Sequence, residues 1–466
     1  MIKINQSLRI ILLVGLMALA ALTACTYEEE DLFDQSAAQR LNASAKEYRD
    51  LLVSSQYGWA MEFWPNNGTM GGYVFTVKFA EDGSVEMCSE EDITYDGKTY
   101  EPGDAFTSNY SVKSEQGTIL TFDSYNPLFH KFSEPQGSSN VSGYNSDYEF
   151  VFMRTSENRD TVYFRGKKYG QEMAMTRLGE SAGKYMDESL TVLLASMSID
   201  KLIINNIEYP VSVNSRHLSI TDSENDTTYS CLLSHNNQEI IFRENIVLAG
   251  ENLKSFMFDK QSSSFINSKG IKLRFLSNLE MLNSLHWDID IRIDRAEMSD
   301  YMFNLFKDHF RQPFMIPSAP FYTFLSVSLQ NLSQVYIWAE NIDLEQCLFA
   351  SDLFNFFVQG VCVNAYGIKI IEVSNNIYNF IITGNKEQKK HWSKYTDTDS
   401  SIYYYYERFL NAFEENSPYH ISFDREVAAT SAKFVSVDNP NVWFVFRRNF
   451  SPQSFSYTDF INYWNF

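Results

Sequence analysis

Apolar positions along this chain recur with changing period, and each change marks a segment. Ile10 to Leu22 is an unbroken apolar run behind Lys3 and Arg9. It is long enough for a signal-peptide core and short for a spanning helix. From Ser36 the spacing turns helical: Leu41, Ala45, Tyr48 and Leu52 share one face, and Ser36 with Gln39 has the form of a capping box. Past Gly58 the period drops to two. Trp59, Met61 and Phe63 form one strand face, and Tyr73, Phe75, Val77 and Phe79 form another. Glu81-Asp82-Gly83 then turns the chain toward Val85 and Met87. The same pattern predicts strands over 118–122, 148–152, 161–164 and 172–176, with a longer loop around 136–143.

A second strand-rich stretch covers 201–207, 217–221, 229–233, 239–246 and 270–275, and its Glu239–Gly250 run loosely echoes residues 117–122. The last third mixes periods. Met302, Leu305, Phe306, His309 and Phe310 fit a helix with Ser299 as N-cap, and Ile402 to Phe413 fit another. Strands follow at 432–437 and 442–446 around an Asp438-Asn439-Pro440-Asn441 turn. Closely spaced antiparallel strands make a meander, and a meander hides its edges by curling up. The expected fold is mainly β with a few helices: antiparallel meander, lipocalin-like barrel units, two or three in tandem, the first capped by the N-terminal helix. The expected divisions are a signal peptide over 1–24, an acidic tether over 25–35 and a barrel-like domain over 36–187. A second β-rich domain over 188–298 and an α+β region over 299–466 complete them.

Composition narrows the partners. The 466 residues carry a formal net charge of −21, which argues against nucleic acid, whose phosphates require clustered Lys and Arg. Leu22-Thr23-Ala24-Cys25 closes the first apolar run as a bacterial lipobox does, so the expected membrane attachment is a lipid on Cys25. Thr26-Tyr27-Glu28-Glu29-Glu30-Asp31 then reads as a surface-export signal or as a solvated tether. Cys88, Cys231, Cys347 and Cys362 remain; the last two are close enough in sequence to pair, the alternative being unlinked buried thiols.

Catalytic motifs are absent: there is no G-x-S-x-G, H-E-x-x-H, phosphate loop or G-x-G-x-x-G, and Ser181-Ala182-Gly183-Lys184 has the S-x-x-K form without its companions. In His286–Asp294 the carboxylates of Asp288 and Asp290 alternate as ligands of a hard cation would, but Arg292 follows them, and a solvated strand face accounts for the pattern. Asp397–Ser401 lacks the glycine and the closing Glu of a calcium loop, and Tyr403–Tyr406 reads mainly as core packing of a helix. No metal or cofactor is expected. Trp59 and Trp64 face opposite ways from one strand, and a Trp left exposed beside Asn66 and Asn67 would stack on a sugar ring; the alternative places one in the wall and one at the rim.

The segments SAAQRLNASAKEYRDLL, YGWAMEFWPNN, GGYVFTVKFAEDGSV, LTFDSYNPLFHKFSEP and VYFRGKKYGQEMAMTRL follow the lipobox in that order. Over residues 25 to about 180 this resembles the domain-of-unknown-function 4302 lipoproteins of Bacteroidota. The resemblance implies an exported lipoprotein, often encoded beside a TonB-dependent transporter and its lipoprotein lid, and it implies no catalytic residues. The expected function is therefore a surface-exposed outer-membrane lipoprotein serving nutrient uptake as a non-enzymatic accessory or ligand-binding component. The alternative is a cell-surface hydrolase of glycan or peptide whose acid pair is assembled only by the fold.

Overall fold

A meander with one buried face would expose a row of unpaired N–H and C=O groups at its last strand, and this chain avoids that by closing each meander on itself. The computed structural model describes residues 36–135, 143–284, 287–289, 298–302, 335–339, 347–351, 362–374, 376–385 and 412–448. Helix α1 (Ala37–Val53) starts with the capping box: Gln39 N–H donates to Ser36 Oγ (3.3 Å) and Ser36 N–H to Gln39 Oε1 (3.0 Å). Its Tyr48 stacks on Phe152, and Leu51 and Leu52 join the first core, so the helix caps that barrel.

The first barrel uses β1 (Trp59–Phe63), β2 (Tyr73–Phe79) and β3 (Ser84–Ser89). It then leaves the wall for a small hairpin, β4 (Ile93–Tyr95) and β5 (Lys98–Tyr100), and returns with β6 (Ala105–Ser114) and β7 (Thr118–Phe122). A short helix α2 (Pro127–His130) precedes β8 (Glu149–Thr155), β9 (Thr161–Gly166) and β10 (Glu172–Arg177). β10 pairs with β1, Arg177 opposite Trp59, and the barrel is shut. Eight strands enclose an interior that side chains can fill, and Phe63, Phe75, Phe122, Phe129 and Phe150, all without solvent contact or nearly so, fill it.

Helix α3 (Ala182–Ser196) leads to β11 (Ile199–Ile204), β12 (Ile207–Asn214), β13 (His217–Asp222), β14 (Thr227–His235), β15 (Glu239–Leu248), β16 (Glu251–Asp259), β17 (Ser264–Ile266) and β18 (Lys272–Phe275). This second barrel closes where β11 meets β18, Ile199 opposite Phe275. Helix α4 (Asn278–Ser284) precedes a third meander: β19 (Trp287–Ile289), β20 (Val335–Ala339), β21 (Cys347–Ser351), β22 (Cys362–Ser374), β23 (Ile377–Asn385), β24 (Tyr419–Phe423), β25 (Ser431–Ser436) and β26 (Trp443–Arg448). It too is a closed barrel, with Trp287 opposite Arg448. Phe380, Phe413, Tyr419, Phe434 and Phe444 form its aromatic core.

Mainly antiparallel β in tandem closed barrels, with a helix over the first, is thus the architecture. The last third differs from the expected α+β region: its described residues build a barrel whose first strand, β19, lies before residue 299 and so within the expected second domain. Ser299 does cap the turn at 300–302, Met302 N–H lying 3.4 Å from its Oγ. The rest of the helix over 302–310, and that over 402–413 up to residue 411, lie outside the described residues. Ser181 is an N-cap, accepting from Lys184 N–H (3.4 Å), which accounts for the S-x-x-K spacing without catalysis. The β21–β22 register sets Cys347 opposite Tyr366 and Cys362 opposite Ser351. Four residue steps, roughly 13 Å at the strand rise, separate the two positions, too far for a disulfide.

Candidate functional site

The outward aromatic residues of the first barrel gather at the mouth opposite α1. The end of β7 sets this up: Ser44 of α1 meets Thr118 at the start of that strand (2.8 Å), while Phe122 ends it at the far mouth. There Asn126, fully buried, caps α2 by accepting from Leu128 N–H (3.0 Å) and donates through Nδ2 to Ser108 Oγ (3.2 Å). The cap sorts the segment. Leu128, Phe129 and Phe132 turn into the barrel, Phe129 lying 5.1 Å from both Phe63 and Phe122 between ring centroids, and Tyr125 and His130 stay at the surface.

Four rings then follow one another across this mouth. Tyr95, from the β4–β5 hairpin, lies 5.3 Å from Tyr125; Tyr125 lies 5.5 Å from His130; His130 lies 5.5 Å from Tyr148, which enters β8. Successive planes differ by 37°, 41° and 30°, so neighbouring rings overlap part of each other's faces. Phe106 supports its outer end beneath Tyr95 and Tyr100. The three tyrosines remain 40%, 38% and 46% exposed in chain order, unusual for rings already stacked on one another. His130 Nδ1 accepts from Asn126 N–H (3.1 Å), and burial pulls the imidazole below its ordinary range. Tyr125 donates to Glu134 Oε2 (3.0 Å), and burial together with that carboxylate raises the phenol to about 12.

Beside the ledge runs the seam with the second barrel. Gly71 and Gly72 let the two backbones meet, and Gly72 N–H donates to Leu233 C=O (2.9 Å). A Cβ on Gly71, whose φ is +85°, would stand 2.5 Å from that of Arg216. Arg216 lies flat over Tyr73 (3.6 Å), donates to Gly72 C=O (3.0 Å) and reaches Glu90 and Glu91. Glu90 is sealed from solvent; its Oε1 accepts from Arg216 and from Val74 N–H (3.2 Å), and its Oε2 faces His235 Nε2 at 2.8 Å, off the hydrogen-bond direction. Burial alone would raise this carboxyl, but His235 and Arg216 overrule it and bring it down to about 2. Glu91 also pairs with Lys131, next to His130 (2.7 Å), so the seam holds the segment that carries the ledge.

A cleft of about 440 Å³ opens on the other flank of the seam, between β1, β10, α3 and the β14–β15 turn. Glu62, Glu180, Tyr185, His235 and Asn237 line it. Three of its polar groups are engaged: Trp64 donates to Glu62 (3.1 Å), Lys184 pairs with Glu180 (2.7 Å) and Asn237 donates to Glu180 and Glu188. Among the described residues, every carboxylate whose acidity is shifted (Asp82, Glu90, Glu180, Asp222, Asp259 and Glu280) moves down. A general acid needs the opposite.

The residues singled out from sequence fare unevenly. Trp59 is wholly buried, donating to Leu52 C=O (2.8 Å) beneath α1, so it offers no face to a ligand; it is a core residue because its strand position points inward. Trp64 stands half-buried at the seam with the Arg243 guanidinium 4.8 Å over its ring. Its sugar-facing side is thus already taken by the second barrel. Asp288 sits on β19, and Asp290, Cys25 and residues 397–406 lie outside the described residues. No group of metal-ligating side chains occurs among the described residues. The ledge is not apparent in the sequence because its four rings come from three separate segments; "SYNPLFHKF", which supplies two of them, carries the signal only as an Asn-Pro helix start inside an aromatic run.

Compared with known families, the chain matches the model of a domain of unknown function, number 4302, over residues 29–260. No curated protein matches it.

Proposed function

For a chain that belongs, over residues 29–260, to the domain of unknown function 4302 family, we propose a non-enzymatic ligand-binding or accessory role in nutrient uptake. It works as a lipoprotein held at the outer membrane through Cys25 and facing outward. The observation that carries the binding role is the ledge of Tyr95, Tyr125, His130 and Tyr148, where stacked rings stay open to solvent. Rings left exposed on a rigid support are what a binding surface needs and what a core avoids. The packed cores of the first two barrels support the same reading, since a ligand of either has to be met outside them. Among the described residues, the cleft carboxylates Glu62 and Glu180 are held by Trp64 and Lys184, which gives the hydrolase alternative no support.

The lipobox and the acidic run behind it support the address. The uptake partner in this reading is a TonB-dependent transporter with its lipoprotein lid. A gentle-detergent pull-down of the tagged full chain from its native membrane tests this by mass spectrometry. Co-purification with such a transporter at near-stoichiometric yield is the expected outcome, and recovery of the protein alone overturns the uptake role.

A further inference from the structure

We infer that the ledge binds a neutral hexopyranose oligosaccharide, its exposed ring surface taking the apolar face of a sugar and its polar edges taking the hydroxyls. This deepens the binding role proposed above and rests on it. A pyranose has an apolar face of C–H groups and a rim of hydroxyls. A surface that accepts it therefore needs rings in the middle and hydrogen-bonding groups at the edge. The ledge has that composition. Tyr95, Tyr125 and Tyr148 each carry a phenol at the border of an exposed ring, and no aliphatic side chain belongs to the ring series.

Charge selects among glycans. At the rim the Glu134 carboxylate accepts the Tyr125 hydroxyl through Oε2, leaving its other oxygen as an acceptor for a sugar hydroxyl. Lys131, beside His130, is already paired with Glu91. With the whole chain at −21, a uronic or sulfated glycan would approach against the field, whereas a neutral one would not. The supports are rigid: Phe129 anchors the short helix, Asn126 caps it and Phe106 backs the hairpin. Little rotamer freedom is then left to lose on binding.

The test uses the purified full chain in detergent, titrated calorimetrically with maltohexaose, cellohexaose and mannohexaose, and with a polygalacturonate hexamer and a proline-rich peptide as contrasts. At least one neutral hexamer is expected to bind. Tyr125→Ala and Tyr148→Ala should each weaken it by about tenfold or more, as loss of one stacked ring requires. Tyr125→Phe keeps the ring and should keep most of the affinity. Tyr57→Ala removes an exposed tyrosine beyond α1 and should change nothing. Unchanged melting temperatures would show that the variants fold. Absence of binding to all three neutral hexamers overturns the inference. Preference for the acidic glycan or the peptide does so too, as does binding indifferent to Tyr125→Ala and Tyr148→Ala. A transporter that co-purifies with a protein blind to sugars would sink the ligand class alone. A sugar-binding protein recovered without a transporter would sink the uptake role alone.

Discussion

Glu90 shows how one side chain can commit two domains to each other. Its carboxylate is buried in full between barrels, and only Arg216, His235 and Val74 N–H make that tolerable. Arg216→Ala would strand a buried negative charge, at a cost of about 3–5 kcal/mol, read as a lower denaturant midpoint. Acid should act in the same direction. The folded-state acidity of Glu90, about 2, lies below its ordinary 4.5, so the unfolded chain binds the proton more readily. The stability Glu90 supplies is whole above pH 4.5 and is lost as pH falls from there toward 2. The stability gap between wild type and Glu90→Gln, measured by denaturant titration, should therefore narrow between pH 6 and pH 3. None of this was legible in sequence: Arg216 and His235 lie more than a hundred residues from Glu90, and pairing at that range is made by barrel docking alone.

Elements were legible in proportion to how one-sided their burial is. β2, with its run of Phe and Val, and α1, with its capping box, declared themselves because local pattern and tertiary burial agree. The β4–β5 hairpin did not, since its residues are mostly exposed and carry no alternation. Helix α3 was missed because apolar residues crowd its second half on every side, Val192 to Ala195 all being buried. Helix α2 is the one that matters for the ledge. Asn126→Ala removes its cap, costing about 1 kcal/mol, and frees the Ser108 contact; the expected result is a modest loss of stability with a larger loss of whatever the ledge binds. Phe129→Ala opens the plug itself and should cost about 3–5 kcal/mol, seen as a lower melting temperature.

At the scale of the molecule the barrels are joined by polar clasps. Arg448 of β26 donates to the C=O groups of Leu194 (3.4 Å) and Met197 (3.2 Å) at the end of α3, where the helix dipole welcomes a cation. Asn278 donates to Arg425 C=O (2.8 Å) and accepts from Ala429 N–H (2.9 Å), while Ala428 seats in the core of the second barrel. The tandem of closed units was readable from strand spacing; the third unit was not, because helix-like spacing over 302–310 and 402–413 suggested a different class.

Each barrel closes its first strand against its last, with Trp59 beside Arg177, Ile199 beside Phe275 and Trp287 beside Arg448. Chain entry and exit therefore sit side by side, and tension on the two ends of a unit loads the closing ladder from one end. Its hydrogen bonds would part in succession, as a zipper opens, instead of resisting together in shear. A protein tethered by one end and tugged at the other would yield barrel by barrel at low force, and single-molecule stretching should record up to three such weak, separate events.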